Sequence, residues 1–276
     1  MQQALSLQTF ERIAALMYGA IGLSFNESKR PLISSRLAVR IQRLGMASFE
    51  DYVALIESPD DGGEFQVAID LLATNETYFF REPAHFDLIE QELSRERPQR
   101  LSVWSAASSF GDEAYSTAML LADLSQQGRI GDDWSILGTD ISDRVLRSAA
   151  AAVYPEDRLR AVTPERLRRH CLRGEGDSAG LVQLNPKLRE RVRFGQLNLC
   201  ADIDAPLPGA PFDIVFLRNV LIYFDPPTKR AVVDRVLTQL RPGGLFFIGT
   251  AEGRVPCDTP LVSLSPGAFR KAGSGA

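Results

Sequence analysis

The sequence predicts an α/β protein: an open sheet of alternating strands and helices, carrying a small antiparallel β insertion and preceded by an all-helical N-terminal domain. Three observations predict it. From Leu101 onward, short apolar runs alternate with helical stretches, the pattern of an α/β sheet. Up to about residue 73 the apolar residues keep helical spacing throughout. Within the alternating part, between its second helix and third strand, Tyr154–Arg191 breaks the rhythm with a glycine-rich turn, Gly174–Gly180, followed by the alternating Leu181–Leu184.

In chain order, the first helix covers Leu7–Gly19, with Phe10, Ile13, Ala14 and Met17 on one face and Gly22 close behind as a stop. Glu27–Gly45 is a second helix with Leu37, Ile41 and Leu44 as its apolar face. Beside that face runs a basic stripe, Arg36, Arg40 and Arg43, with no acid between Ser28 and Gly45. Such a stripe is commonly a solvated face; in an acidic chain it is also a candidate docking face for an acidic partner. Ser48–Ile56 and Glu64–Ala73 give two shorter helices, split by the turn Pro59-Asp60-Asp61-Gly62-Gly63. Thr74–Pro83 breaks the helical pattern. The expected domains are therefore 1–73, helical; 74–83, a hinge; and 84–276, the sheet domain with 154–191 inserted in it. Ala84–Arg97 is helical again.

The first strand is Leu101–Ser105. A turn of small residues leads into the helix Asp112–Gln127, which ends at Gly128. The second strand, Trp134–Thr139, ends at Asp140 and is followed by a helix from Ser142 to about Ala152. The third, Val192–Leu197, ends at Asn198, and the fourth, Phe212–Leu217, runs into Arg218-Asn219. Asp225 as N-cap and Pro226 at the first helical position start a helix that carries Val232, Val236 and Leu240 inward and stops at Pro242-Gly243-Gly244. Leu245–Gly249 is the fifth strand. The pair Leu261–Leu264 and Ala268–Lys271 closes the domain, and the tail after Ala272 is expected to fray.

A net charge of −4 gives no global attraction to nucleic acid. No apolar run approaches the length of a membrane span, and the N-terminus lacks the basic-then-apolar order of a signal peptide. Three cysteines, far apart and odd in number, agree with a reducing compartment, so a cytoplasmic protein is expected; separately, a monomer is expected. Two histidines and no paired cysteines provide no metal-ligand spacing, and no metal is expected.

Ligands of an open α/β sheet sit beyond the carboxyl ends of its strands. There the sequence places Ser105–Glu113, Asp140, Asn198, Arg218-Asn219 and Thr250–Glu252. Taken singly, Asp140 reads equally well as a helix cap and Asn198 as a turn residue. Arg218 directly after an apolar strand demands a partner, because a buried charge costs desolvation. Small side chains at the first turn let a ligand lie against backbone. Asp112 and Glu113 at the helix start disfavour a phosphate and suit a ligand with hydroxyls and positive charge; S-adenosylmethionine carries both. The turn lacks the G-x-G-x-x-G of dinucleotide sites, and no Gly-Lys-Ser/Thr follows the first strand.

Five stretches carry a resemblance: NETYFFRE (75–82), VWSAASSFGDEAYS (103–116), GTDIS (138–142), QLNL (196–199) and FDIVFLRNVLIYFD (212–225). Through them the chain resembles, over almost its whole length, the bacterial chemotaxis receptor methyltransferases of CheR type. The resemblance implies a class I (Rossmann-like) S-adenosylmethionine-dependent methyltransferase sheet and methyl transfer to glutamates of the chemoreceptor cytoplasmic domain, with S-adenosylhomocysteine as product. It implies cofactor contacts at Asn75, Thr77, Arg81, Glu113, Asp140 (the ribose), Asn198, Leu199, Arg218 and Asn219. It places Arg81 and Tyr223 at the methyl-transfer site and turns the Arg36–Arg40–Arg43 face toward the receptor's helical bundle. In some members the β insertion grips a receptor's C-terminal tail. Two departures stand out. The usual threonine-glycine-glutamate-glutamate-proline is Phe110-Gly111-Asp112-Glu113-Ala114. The usual histidine-serine-glutamate-asparagine is Thr250-Ala251-Glu252-Gly253, which touches acceptor recognition more than cofactor binding. The alternatives are a methyltransferase for another carboxylate acceptor and a non-catalytic adapter that binds the cofactor and never turns over.

Overall fold

The structure is a computed structural model describing residues 4–273; the last three residues of the tail expected to fray lie outside it. Four helices, α1 (Leu7–Ile21), α2 (Arg30–Arg43), α3 (Phe49–Ile56) and α4 (Glu64–Leu72), enclose a core of their own. Phe10, Ile13 and Met17 meet Ile33, Leu37, Ile41, Tyr52 and Ile69 there. Local chemistry sets the helix ends. Ser6 and Ser48 accept hydrogen bonds from Thr9 N and Asp51 N, and Gly22, with φ 70°, ends α1. Leu44, read as part of the α2 apolar face, lies past the helix end and is exposed.

The neighbourhood of α4 corrects the reading of the basic stripe. Arg36 Nη1 donates to Leu72 O (2.8 Å) and Ala73 O (3.3 Å), satisfying carbonyls that the end of α4 leaves unpaired. Arg40 grips the buried Glu64 with two nitrogens, 2.8 and 2.5 Å, and Tyr52 Oη donates to the same carboxylate. These two arginines hold α4 on α2. Arg43 alone of the three is fully exposed, and it makes no ion pair among the described residues.

The hinge threads Phe79 and Phe80 into the second core. Left-handed backbone at Phe80 and Glu82 turns the chain into α5 (Pro83–Glu96). The main sheet contains β1 (Arg100–Ser105), β2 (Asp133–Asp140), β6 (Val192–Gln196), β7 (Phe212–Leu217), β8 (Leu240–Ile248), β9 (Leu261–Ser265) and β10 (Ala268–Lys271) in the order β6-β2-β1-β7-β8-β10-β9. β10 pairs antiparallel with β8 and β9; the other pairs are parallel. α5 and α6 (Asp112–Gln126) pack into one core and α10 (Pro226–Thr238) into another. α7 (Asp143–Ala151) follows β2. Strand order reverses between β1 and β7, which opens the crevice where such sheets bind ligands.

Two expectations shift. α10 ends at Thr238, and Leu240 is a strand residue opposite Phe212; the register then slips before Ile214 meets Leu245. Pro242-Gly243-Gly244 is thus a bulge inside β8, where it was read as a helix stop. The insertion is a separate antiparallel sheet, β3 (Val153–Pro155), β4 (Cys171–Arg173) and β5 (Leu181–Leu184) in the order β3-β5-β4, with α8 (Pro164–His170) and α9 (Pro186–Arg189) beside it. It is clamped to α6 by Asp123, which receives Arg166 Nε (2.8 Å), Arg169 Nη1 (2.5 Å) and His170 Nε2 (2.8 Å). Among the described residues no helix is long and apolar enough to cross a membrane.

Candidate functional site

A cleft enclosing about 950 Å³, partly open to solvent, lies over the carboxyl ends of β1, β2 and β7. Asn75, Thr77, Arg81, Glu113, Asp140, Asn198, Leu199, Arg218, Asn219 and Tyr223, separated by up to 148 positions, all line it. Arg36, Arg40 and Arg43 do not.

The turn after β1 separates the two acids that the sequence reads together. Gly111 takes φ 86°, and a Cβ there would press on Ala149 and the Phe194 ring at 3.0 and 3.1 Å. Asp112, fully buried, points away from the cleft and forms a two-pronged pair with Arg158 at 2.7 and 2.9 Å. It is a structural tie, which removes it from the ligand site. Glu113 faces inward: Oε1 accepts from Ser105 Oγ (2.7 Å) and Oε2 from Arg218 Nη1 (2.9 Å). Burial pushes the Glu113 carboxyl up, and Arg218 opposes that shift.

Asp140 ends β2. Its two oxygens accept from the backbone N–H groups of Ser109 (2.9 Å) and Ser142 (3.0 Å). Burial also raises this carboxyl, with those N–H bonds opposing. The cap reading describes these contacts; a carboxylate offers about four lone-pair sites, and the N–H groups leave part of that capacity toward the cleft. Asn198 is largely committed: its Nδ2 donates to Ala20 O at the end of α1 (2.7 Å), and its Oδ1 accepts from Cys200 N (2.9 Å). Its contribution to the cleft is mainly backbone, together with the buried apolar Leu199. Arg218, with its side chain 2% exposed, is spent on Glu113, Glu82 (3.3 Å) and the carbonyl of Arg81. It holds Glu113 and Glu82 in place at the cleft wall.

Arg81 is half-exposed. Its Nη1 donates to Glu76 O (2.9 Å) and its guanidinium lies 5.7 Å from the centre of the Tyr78 ring. Tyr223 is fixed through its backbone, whose carbonyl accepts from Ser24 N (3.1 Å). Glu252, from the departing segment after β8, braces the β7 turn by accepting from Asn219 N, Leu221 N and Gly249 N at 2.9, 2.7 and 2.6 Å. It lies outside the cleft lining.

Sequence reasoning missed one wall. Ile21 and Leu23, at and beyond the end of α1, close the cleft from the N-terminal side. Their helical spacing marks them only as apolar.

The orphaned polar groups of the cleft fit S-adenosylmethionine. Asn75 Nδ2 is buried without a partner among the described residues, and the Asn75 backbone carbonyl accepts from Ser109 Oγ (3.0 Å). A buried amide donor left unpaired beside two desolvated carboxylates and an apolar wall fits a ligand with an amino acid end, a ribose and a positive centre.

The chain matches two family profiles: "CheR methyltransferase, all-alpha domain" over residues 8–73, and "CheR methyltransferase, SAM binding domain" over 75–261. It is 42% identical over 243 residues to a chemotaxis protein methyltransferase of Klebsiella aerogenes, covering 88% of this chain and 82% of that one. It is 41% identical over 249 residues to the chemotaxis protein methyltransferase of Escherichia coli (90% and 85%). It is 38% identical over 252 residues to chemotaxis protein methyltransferase 2 of Pseudomonas aeruginosa (90% and 87%).

Proposed function

Because the chain belongs to the CheR methyltransferase family, we propose that it transfers a methyl group from S-adenosylmethionine to glutamate side chains on the cytoplasmic helices of chemoreceptors, forming glutamate methyl esters. The observation that supports this most is the convergence of ten scattered residues on one cleft with two desolvated carboxylates. Glu113 and Asn75 would hold the cofactor's amino acid end, Asp140 its ribose, and Leu199 with the Asn198 backbone its base. When bound, S-adenosylmethionine supplies a methyl group activated by an adjacent sulfonium.

The accepting carboxylate is ionised at neutral pH, its ordinary pKa being about 4.3, so the chain need supply no general base. What it supplies is alignment and dryness. Arg81, tethered to Glu76 O and Tyr78, stands at the mouth and would steer the incoming carboxylate. The tether limits how tightly it can bind that carboxylate and blunt it. Tyr223 would donate a hydrogen bond beside it. Ile21, Leu23 and Phe224 keep water from the charges that cancel as the methyl moves. Toward the receptor, Arg43 presents the free charge of α2, and Arg36 and Arg40 act by keeping α4 in place.

The test is transfer of radiolabelled methyl to receptor cytoplasmic fragments. Base-labile label on glutamate is expected. Label that resists mild base, or S-adenosylhomocysteine binding without any transfer, would overturn the assignment.

A further inference from the structure

The array behind Glu113 does more than neutralise it. Arg218 Nη1 meets Glu113 Oε2 at 2.9 Å, and Nη2 meets Glu82 Oε2 at 3.3 Å and the Arg81 carbonyl. Arg218 Nε is buried with no partner, so no further acceptor shares its charge. Two carboxylates against one guanidinium leave the array with one formal negative charge. A simple Glu113–Arg218 pair would have none to offer a cationic ligand.

Glu82 is held in place to play this part. Its backbone is left-handed at φ 59°, a conformation that side chains rarely adopt without being held there. Both its oxygens face Thr250 N, at 3.3 and 3.2 Å. Its remaining neighbour is His85, 1% exposed, whose Nε2 lies 3.0 Å from Pro266 O and whose Nδ1 faces Glu82 Oε2 at 3.4 Å without a hydrogen bond. Burial lowers the His85 pKa, so the imidazole does not offset the Glu82 charge.

We propose that Glu82 is a positioning residue for the cofactor's positive charge: by sharing Arg218 through its second nitrogen, it leaves the array one net negative charge, which Glu113 presents to the ammonium that both ligands carry and, at longer range, to the sulfonium that S-adenosylmethionine alone carries. This rests on the reading of Glu113 as a cofactor contact. Glu82 itself touches no cofactor.

The test compares S-adenosylmethionine, which carries the extra sulfonium charge, with S-adenosylhomocysteine, which lacks it, by calorimetry on the full chain. Glu82→Gln keeps the shape and removes the charge. It should weaken S-adenosylmethionine at least tenfold, and at least threefold more than S-adenosylhomocysteine. Glu82→Asp keeps the charge but withdraws it by one methylene. It should show the same selective loss on a smaller scale, and it decides the matter if the glutamine variant is not recovered folded. Unchanged affinities, or equal losses for both ligands as a purely structural role would give, overturn the proposal. Glu113→Gln separates the two readings. If it binds both ligands like the parent chain, the Glu113 assignment has failed; if it weakens them while the Glu82 variants do not, only the present inference has.

Discussion

Glu113 and Asp140 sit where burial raises carboxyl pKa values, and a cationic ligand needs both ionised. A raised folded pKa means that the empty protein holds these protons to higher pH than the unfolded chain does. Two consequences follow in sign. The empty protein loses stability from these groups as pH rises through the raised values, and ligand affinity falls as pH drops through the same range. S-adenosylhomocysteine affinity should therefore begin to fall above the ordinary carboxylate pKa of about 4.3, with proton release on binding in that window. Calorimetry in buffers of different ionisation enthalpy reads that release. Asp140→Asn, which still accepts one backbone N–H, should weaken S-adenosylhomocysteine at least about tenfold, or ~1.4 kcal/mol. Unchanged affinity would count against the ribose role. Arg81→Ala should cut turnover by at least about tenfold in the radiolabel assay. At this scale the strand-end pattern picked out Glu113, Asp140, Asn198, Arg218 and Asn219, which line one cleft, but also Thr250–Glu252, which does not; Asn75, Thr77, Arg81 and Tyr223 came from the resemblance. The sequence was poor at roles. Nothing in the order of residues tells that Asp112 turns to Arg158 while its neighbour turns to the cleft, or that Arg36 caps α4.

Two buried acids of α6, Asp112 and Asp123, tie the inserted β subdomain down, and Asp123 takes three of those contacts. Burial works to raise the Asp123 carboxyl, but hydrogen bonds from His170, Arg166 and Arg169 outweigh it and hold the pKa well below the usual range. A depressed folded value gives stability that is present above the unfolded pKa, about 3.9, and is lost as pH falls toward the folded one. On acidification, hydrogen exchange in β4 and β5 should rise before exchange in β1 and β2. Asp123→Asn should produce the same ordering at neutral pH. Equal protection in both sheets would refute a separately hinged subdomain. Elements with strong local chemistry were legible: Asp225 caps α10 through Thr228 N with Pro226 behind it, as its sequence indicates. Pro242-Gly243-Gly244 misled because those residues break helices and make bulges alike, and the pairing of Leu240 with Phe212 is settled by a neighbour strand.

At the scale of the molecule, the N-terminal helices supply part of the cleft. The end of α1 is fastened to the sheet domain by Asn198 Nδ2 to Ala20 O, Ser24 N to Tyr223 O (3.1 Å) and Tyr18 Oη to Asp225 Oδ2 (2.7 Å). Gly22 makes this approach possible: a Cβ there would lie 2.5 Å from Cys200 Sγ at a backbone φ of 70°. Gly22→Ala should lower S-adenosylhomocysteine affinity several-fold without unfolding either core, and Cys200→Ala should restore part of it. An unaffected titration would show that the α1 wall is dispensable. No periodicity could reveal this seam, since it joins residues 178 to 207 positions apart. It also equips the enzyme with a built-in gauge. Burial raises the Cys200 pKa, and its thiol donates to the Ile21 carbonyl (3.3 Å), so maleimide should label Cys200 slowly in the parent chain and faster in Gly22→Ala. With Cys171 and Cys257 replaced, that labelling rate reports how firmly the end of α1 stays seated on the sheet domain.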